Sequence, residues 1–153
     1  MNVKFRQASV DDLPNIVRML ADDFFGRQRE RYEDPLPEPY LKAFREIEHD
    51  PNNELIVAEI DGEVVGSLQL TFTPSISFQG GKRATVESVR VDENCRGRGI
   101  GRQMMHWAIE RSKQEGCISL QLTSNAARID AHRFYESLGF SNTSVGMKLN
   151  LNC

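Results

Sequence analysis

Arg96-Gly97-Arg98-Gly99-Ile100-Gly101-Arg102 joins a strand-like stretch to a helix-like one, and the fold is decided there. Ahead of it, Ala84-Thr-Val-Glu-Ser-Val-Arg-Val91 carries the β-branched residues of a strand. Behind it, Ile100, Met104, Met105, Ala108 and Ile109 form a broad apolar face over residues 99–115, and Gly116 stops the predicted helix. Glycines at such a junction remove side chains, so backbone N–H groups at the helix start can converge on one anion. The helix dipole and the three arginines add positive potential. That chemistry implies a phosphate or pyrophosphate site, the alternative being a tight turn with its arginines in water. The spacing narrows the ligand. No Gly-Lys-Ser or Gly-Lys-Thr completes a P-loop, and the glycines run G-x-G-x-G after several strands rather than G-x-G-x-x-G near a first one. NAD and ATP are therefore disfavoured.

Working outward, Val3-Lys4-Phe5-Arg6 alternates as a strand, and Ser9-x-x-Asp12 resembles a capping box ahead of Leu13, Ile16, Val17, Leu20 and Phe24 at helical spacing. Residues 26–39, charged and dotted with Pro35, Pro37 and Pro39, read as a loop. A second helix is predicted from about Tyr40 to His49, stopped by Asp50-Pro51. Residues 54–60 and 63–70 are strands joined by Asp61-Gly62, a two-residue hairpin signal. Pro74 to Gly81 reads as a loop. Residues 118–122 form a short strand, residues 126–138 a helix ended by Gly139, and Val145 to Leu151 alternates as a last strand. The order is mixed α/β, expected as a single domain over residues 1–153 with no repeat and no linker.

Composition narrows the function class. Of 153 residues, 39% are hydrophobic and 27% charged, an ordinary globular mix. No stretch reaches the ~20 apolar residues of a membrane helix, and the opening six residues lack the pattern of a secretory leader. Cys95, Cys117 and Cys153 share no metal-like spacing, which suits free thiols in a reducing cytoplasm. His49, His106 and His132 are scattered, so no metal is expected. Residues 1–81 carry 8 basic and 15 acidic side chains, whereas residues 82–113 carry 8 basic and 4 acidic. The net charge of −3 argues against a nucleic-acid binder, and the single arginine–glycine motif lacks the aromatic interleaving such binders use.

At this point the chain resembles the GNAT N-acetyltransferase superfamily, whose acetyl-CoA signature is Gln or Arg, two residues, Gly, one residue, then Gly or Ala. Arg96-x-x-Gly99-x-Gly101 fits it at the strand-to-helix junction. The resemblance extends to Val86-Glu-Ser-Val-Arg-Val91 and to Ser124-Asn125-x-x-Arg128-x-x-Ala131-His-Arg-Phe134-Tyr135-x-x-Leu138-Gly139-Phe140, covering nearly the whole chain. It implies a central, mostly antiparallel twisted sheet of six to seven strands flanked by about four helices, with acetyl-CoA as co-substrate.

Residue by residue, the resemblance implies that the strand before the loop splays from its neighbour, with Val89 and Val91 offering their backbones to the pantetheine arm. Backbone N–H groups over Gly97, Arg98, Gly99, Ile100, Gly101 and Arg102, following Arg96, would hold the pyrophosphate. The Arg98 and Arg102 side chains serve there or face solvent. Asn125 sits where many members place an amide near the cofactor, and an asparagine also suits a helix cap. Tyr135 matches the tyrosine that protonates the departing thiolate, a role open to a phenol with a pKa of about 10. Glu87 is the candidate base. An alternating strand would place it on the face of Val89 and Val91, and a carboxylate can accept the proton an alkyl ammonium must lose before attack. The plain alternatives are a tyrosine packed beside Phe134 and a carboxylate at a sheet edge. His132 more often serves as a hydrogen-bonding or exposed residue than as a base, and Cys95 has no paired base to make it a nucleophile.

The acceptor site of such proteins is usually built by the first two helices and their loop, here Gly26 to Pro39. Asp22, Asp23, Glu30, Glu33, Asp34 and Glu38 would give it an acidic rim suited to a cationic amine. The resemblance thus implies transfer of acetyl from acetyl-CoA to a primary amine of a small molecule or peptide by direct attack in a ternary complex. The alternative is a non-catalytic acyl-CoA-binding regulatory module. Homodimers are common among such proteins, which makes a homodimer an option here; neither nucleic acid nor membrane is an expected partner.

Overall fold

Asp61 and Gly62 adopt φ of 51° and 82°, so the chain reverses in two residues and Ile60 pairs with Glu63. Left-handed φ at both central positions matches the right-handed twist of the flanking strands. This hairpin joins β2 (Asn53–Ile60) to β3 (Glu63–Thr73) at the centre of the sheet described by a computed structural model of residues 2–152. Antiparallel neighbours are β1 (Lys4–Gln7) on β2 and β4 (Arg83–Val91) on β3; β5 (Ser119–Gln121) then lies parallel to β4. The order is β1-β2-β3-β4-β5, mostly antiparallel as expected.

Ile56, Val57 and Ala58 on β2 and Val65 to Leu68 on β3 are buried in consecutive runs, so both faces of the central strands are covered. Two helices do this. In α1 (Leu13–Leu20) Ile16, Val17 and Met19 are buried, and in α4 (Ile100–Gln114) Ile100, Met104, Met105 and Ala108 are. Gly66 permits the close approach of α4, since a Cβ there would stand 2.7 Å from the Met104 sulfur and 3.0 Å from the Arg90 carbonyl oxygen. Leu13 and Val17 also pack with Phe44 of α3 (Glu38–His49), and Phe5 stacks on Trp107 with centroids 5.6 Å apart.

The N-terminal signal holds in detail. The Asp12 carboxylate accepts the Ser9 backbone N–H at 2.7 Å and is gripped by Arg6 at 2.7 Å, and the Arg6 hydrogen bonds hold its pKa below the usual carboxylate range. The first helix, however, breaks after Leu20, and a short α2 (Phe24–Arg29) enters the expected loop. The Asp23 side chain restarts it by accepting the Gly26 N–H at 2.6 Å, and only glycine fits at 26, where a Cβ would lie 1.9 Å from the Leu20 carbonyl oxygen.

The chain divides into two compact units, Met1–Gln121 and Leu122–Cys153. The second holds α5 (Ile129–Ser137), closed by Gly139 at φ 100°. One expectation fails. Val145 to Leu151 forms no strand, so the sheet has five strands among the described residues rather than six or seven. Alternation supplies a strand with an apolar face but not with the neighbour whose ladder defines it, and Val145, Met147, Leu149 and Leu151 remain exposed. No helix among the described residues is long and apolar enough to cross a membrane. Cys95 and Cys117 are free thiols, the second raised in pKa by burial, and Cys153 lies outside the described residues.

Candidate active site

Pairing between β4 and β5 covers Arg83, Ala84 and Thr85 only. Among the described residues no strand pairs with the outer edge of β4 from Val86 to Val91, an edge of the kind an extended ligand can extend. The strand is also irregular there. Glu87 lies opposite Gln69 and Arg90 opposite Ser67, so Ser88 and Val89 together face one residue, with Ser88 at φ 55°. This is a β-bulge, and it turns the strand's faces over. Residues opposed across a ladder share a face, so Glu87 and Arg90 lie on one side and Val91, opposite Gly66, on the other. The expected common face of Glu87, Val89 and Val91 is thus corrected by the extra residue in the bulge. Glu87 is exposed, and its carboxylate has no partner among the described residues.

Beyond β4 the chain makes one 3₁₀ turn, Glu93–Cys95, capped by Asp92, whose carboxylate accepts the Asn94 N–H at 2.9 Å. That hydrogen bond, with Arg18 at 2.7 Å, holds the Asp92 carboxyl below the ordinary range. Gly97 and Gly99 follow at φ 80° and 77°, and a Cβ on either would meet nothing within 4 Å. Glycine is needed there for backbone conformation, and the space around it stays open to a ligand. The first intrahelical bond of α4 runs from the Gln103 N–H to the Gly99 oxygen at 3.1 Å, so the amides of Ile100 and Gly101 lead the helix ahead of any partner. A pyrophosphate fits such a start.

Three ion pairs clasp this region to the end of α1 and the cap of α2. Arg18 meets Asp92 at 2.7 Å, Arg96 meets Asp22 at 3.0 Å, and Arg90 meets Asp23 at 3.6 Å. The Arg96 side chain is thereby paired with a carboxylate. The same pairs change the acidic rim: Asp22 and Asp23 are neutralised, Glu33 meets Arg31 at 3.0 Å, and Glu30 accepts the Tyr40 hydroxyl at 2.9 Å beside Arg29. Burial, with Glu30 close by, pushes the Tyr40 phenol up. Asp34 and Glu38 are the carboxylates of that list without an ion pair among the described residues.

In the C-terminal unit, the Asn125 side chain accepts the Ala127 N–H at 2.9 Å, a turn ahead of α5 rather than the helix cap itself, which is Arg128. His132 Nε2 bonds the Asn125 carbonyl oxygen at 2.8 Å, a local structural contact. Tyr135 packs between Phe134 and Phe140, centroids 5.4 and 6.0 Å away. The clasps and the Ser88 bulge went unforeseen. Asp92-x-Asn94 carries a turn signature, but nothing local signals the distant partners of the clasps, and serine in the left-handed region has no sequence signal. No group of three His, Cys, Asp or Glu among the described residues could hold a metal.

The sequence pattern of the Acetyltransferase (GNAT) family matches residues 15–140. The chain belongs to this family. Among GNAT relatives, an aminoalkylphosphonate N-acetyltransferase from Salmonella typhimurium is 34% identical over 91 residues, 60% of this chain and 58% of that protein. A glucosamine 6-phosphate N-acetyltransferase from Trypanosoma brucei brucei is 33% identical over 90 residues, 59% of each. The chain thus spans less than two thirds of the length of these two curated relatives. The crystal structure of a transcriptional regulator from Bacillus halodurans C-125 superposes with a TM-score of 0.95 at 53% identity, covering 98% of this GNAT chain and 100% of that one.

Proposed function

We propose that the chain, acting as one acetyltransferase domain, transfers an acetyl group from acetyl-CoA to a primary amine of a small molecule or peptide by direct attack in a ternary complex. The open edge of β4 leading into the left-handed glycines and the Ile100 and Gly101 amides at the start of α4 carries this reading. It is the combination an extended arm ending in a pyrophosphate requires: a strand edge for the amide-bearing arm, then converging N–H groups for the anion. Val89 and Val91 offer backbone groups to the arm, and the amides from Gly97 to Arg102 hold the phosphates, with Arg96 set by its clasp; Asn125 is the amide that the family resemblance assigns to the cofactor. When bound, acetyl-CoA supplies the activated acyl group.

Glu87, exposed and without a partner, accepts the ammonium proton directly or through water. The bulge at Ser88 and Val89 releases backbone N–H dipoles from the ladder beside it, where they can meet negative charge on the carbonyl oxygen. Tyr135 donates a proton to the leaving sulfur. The two named N-acetyltransferase relatives act on an aminoalkylphosphonate and an amino sugar phosphate, which supports a small-molecule amine over a peptide. The clasps also leave less acidic charge for a purely cationic acceptor than the residue count suggests. Arg90, Arg96 and Arg111 are taken up by carboxylates, which argues against a nucleic-acid surface.

A second reading, an acyl-CoA-binding regulator without catalysis, is favoured by the likeness to the Bacillus halodurans protein. Thermal unfolding with saturating acetyl-CoA, NAD or ATP tests the shared foundation. A ligand at 100 times its Kd adds about 2.7 kcal/mol, roughly 5–10 °C for a domain of this size. A rise with acetyl-CoA alone is expected; equal rises with all three, or none, would remove both readings. An amine panel followed by thiol release then separates them, since a regulator binds and releases nothing. In the enzyme, Tyr135→Phe lowers kcat with acetyl-CoA affinity nearly unchanged, and Glu87→Gln lowers the rate most at the acid end of the pH profile, where the amine is most protonated.

A further inference from the structure

Leu55 of β2, Gln69 of β3 and Glu87 of β4 stand opposite one another across two ladders and form one row on one face of the sheet. It is the face of α1 and α3, since Leu55 packs against the cluster of Leu13, Val17 and Phe44. Leu55 and Gln69 are half-buried, and Glu87 at the end of the row is exposed. Gln69 is held from the β2 side: its Nε2 donates to the Asn53 Oδ1 at 3.0 Å, and Asn53 lies two residues before Leu55. The two ends of a carboxamide diverge from one planar carbon, so a donor fixed toward β2 leaves the acceptor Oε1 for the β4 side. Among the described residues no group donates to Gln69 Oε1 or to the Glu87 carboxylate. Residues directly opposed on a ladder bring their Cβ atoms to about 4.5–5.5 Å. A neutral acceptor and a charged one thus share the end of the row with no donor between them.

We propose that Gln69 binds the nitrogen of the acceptor: its Oε1 and the Glu87 carboxylate take two N–H groups of one primary ammonium, and Asn53 is the positioning residue that aims the amide. The assignment deepens the acetyltransferase reading and rests on it. Glu87 takes one proton from R–NH3+, which leaves a carboxylic acid and a neutral R–NH2. The ion pair that held the acceptor disappears with that transfer. A carboxamide oxygen accepts hydrogen bonds but does not compete for the proton. Its hydrogen bond therefore outlasts the transfer and keeps the nitrogen at the edge of β4 while the lone pair attacks the acetyl carbon and the C–S bond breaks. The N–H held by Gln69 becomes the N–H of the product amide. The other N–H proton goes to the departing sulfur as the free thiol forms, and Glu87 returns its own proton to water. An N-methyl amine has no N–H left on its product, so Gln69 has nothing to hold at the end of that reaction.

Kinetics on an amine identified by thiol release test this, with its N-methyl derivative alongside. Gln69→Leu keeps the size of the side chain, and kcat/KM for the primary amine should fall about tenfold, with far less loss on the N-methyl derivative. The KM for acetyl-CoA and the rise in Tm it causes should stay at wild-type values, which also reports that the variant is folded. Asn53→Leu should weaken the primary amine in the same direction, and Asn53→Asp, which can still accept the Gln69 N–H, should restore it. Gln69→Glu is an independent variant. The charged groups around this face are Arg83 and Arg90 of β4, Arg18 of α1, and Asp23 and Glu30 between α1 and α3, while the charged residues of α3 are exposed. Arg90 pairs with Asp23, Arg18 with Asp92 and Glu30 with Arg29. The new carboxylate therefore has Glu87 as its directly opposed neighbour. Two facing carboxylates hold a proton more tightly than one, so the acid limb of kcat/KM should move up by about one pH unit. A wild-type amine kcat/KM in Gln69→Leu, or an unmoved acid limb in Gln69→Glu, would overturn the Gln69 assignment and leave the acetyltransferase reading standing. A chain that binds acetyl-CoA yet acetylates no amine would overturn both.

Discussion

The second half of β3, Ser67 to Thr73, and the segment from Val145 to Leu151 read alike in sequence, both alternating apolar and polar residues, and they end in opposite states. β3 has a hydrogen-bonded neighbour on each side and helices over both faces, and its Leu68 and Leu70 are fully buried. Among the described residues the C-terminal segment pairs with no strand, and Val145, Met147, Leu149 and Leu151 are exposed. Periodicity therefore reports that a face could be covered; it does not say whether a neighbour covers it.

The sharpest way to break the comparison is to truncate one leucine in each region. Leu68→Ala removes packing at a site with no exposure and should lower unfolding stability by about 3–4 kcal/mol. Leu149→Ala, at an exposed site, should change it by less than about 0.5 kcal/mol. Equal losses would mean that Leu149 is packed in solution. Next in size is the charge that closes the sheet over β2. Arg111 grips the Glu54 carboxylate at 2.7 Å from α4, and Arg111→Ala leaves Glu54 mostly buried without its cation, at a cost of about 3 kcal/mol in denaturant unfolding.

Glycines sharpen the contrast further. A Cβ at Gly66 would press on the Met104 sulfur and the Arg90 carbonyl, whereas at Gly146 it would meet nothing within 4 Å. Gly66→Ala should cost about 1–2 kcal/mol, and Gly146→Ala should be neutral or slightly stabilising; differential scanning calorimetry of the two resolves it. The smallest effect is acidic. The Asp12 and Asp92 carboxyls are both held below their ordinary range by hydrogen bonds, from Arg6 for Asp12 and from the Asn94 N–H for Asp92. Their contribution is complete above the unfolded carboxyl pKa of about 3.9 and fades as pH falls through the lower folded values. Asp12→Asn and Asp92→Asn should each flatten the stability–pH curve below about pH 4 and leave its neutral-to-alkaline limb unchanged in slope.

The legible parts of the fold are those in which a residue's own conformational preference and its tertiary setting agree. Asp61-Gly62 had to turn, and it turns in two residues; the Asp12 cap and the glycines ahead of Ile100 stand where they were expected. The illegible parts depend on partners distant in sequence. Nothing local in Ala21-Asp22-Asp23 shows that one aspartate will face Arg96 while the next caps α2 and meets Arg90. Nothing in Glu87-Ser88-Val89 marks the inserted residue, because serine carries no preference for positive φ. The cradle's glycines were therefore readable from spacing, while the facing of the candidate base and the neutralised rim needed coordinates.

The clasps around the glycine loop have a kinetic consequence. Arg18 and Asp92, like Asp22 and Arg96, are 74 residues apart in the chain. Contacts of that span reward the chain only after a long loop has closed, and they belong to the slow part of folding. The glycine turn is local and can form early, yet it becomes a fixed cradle only once α1 has met the end of β4. On refolding, the power to bind an anion should return with the completed sheet, in the slow phase and not in the burst.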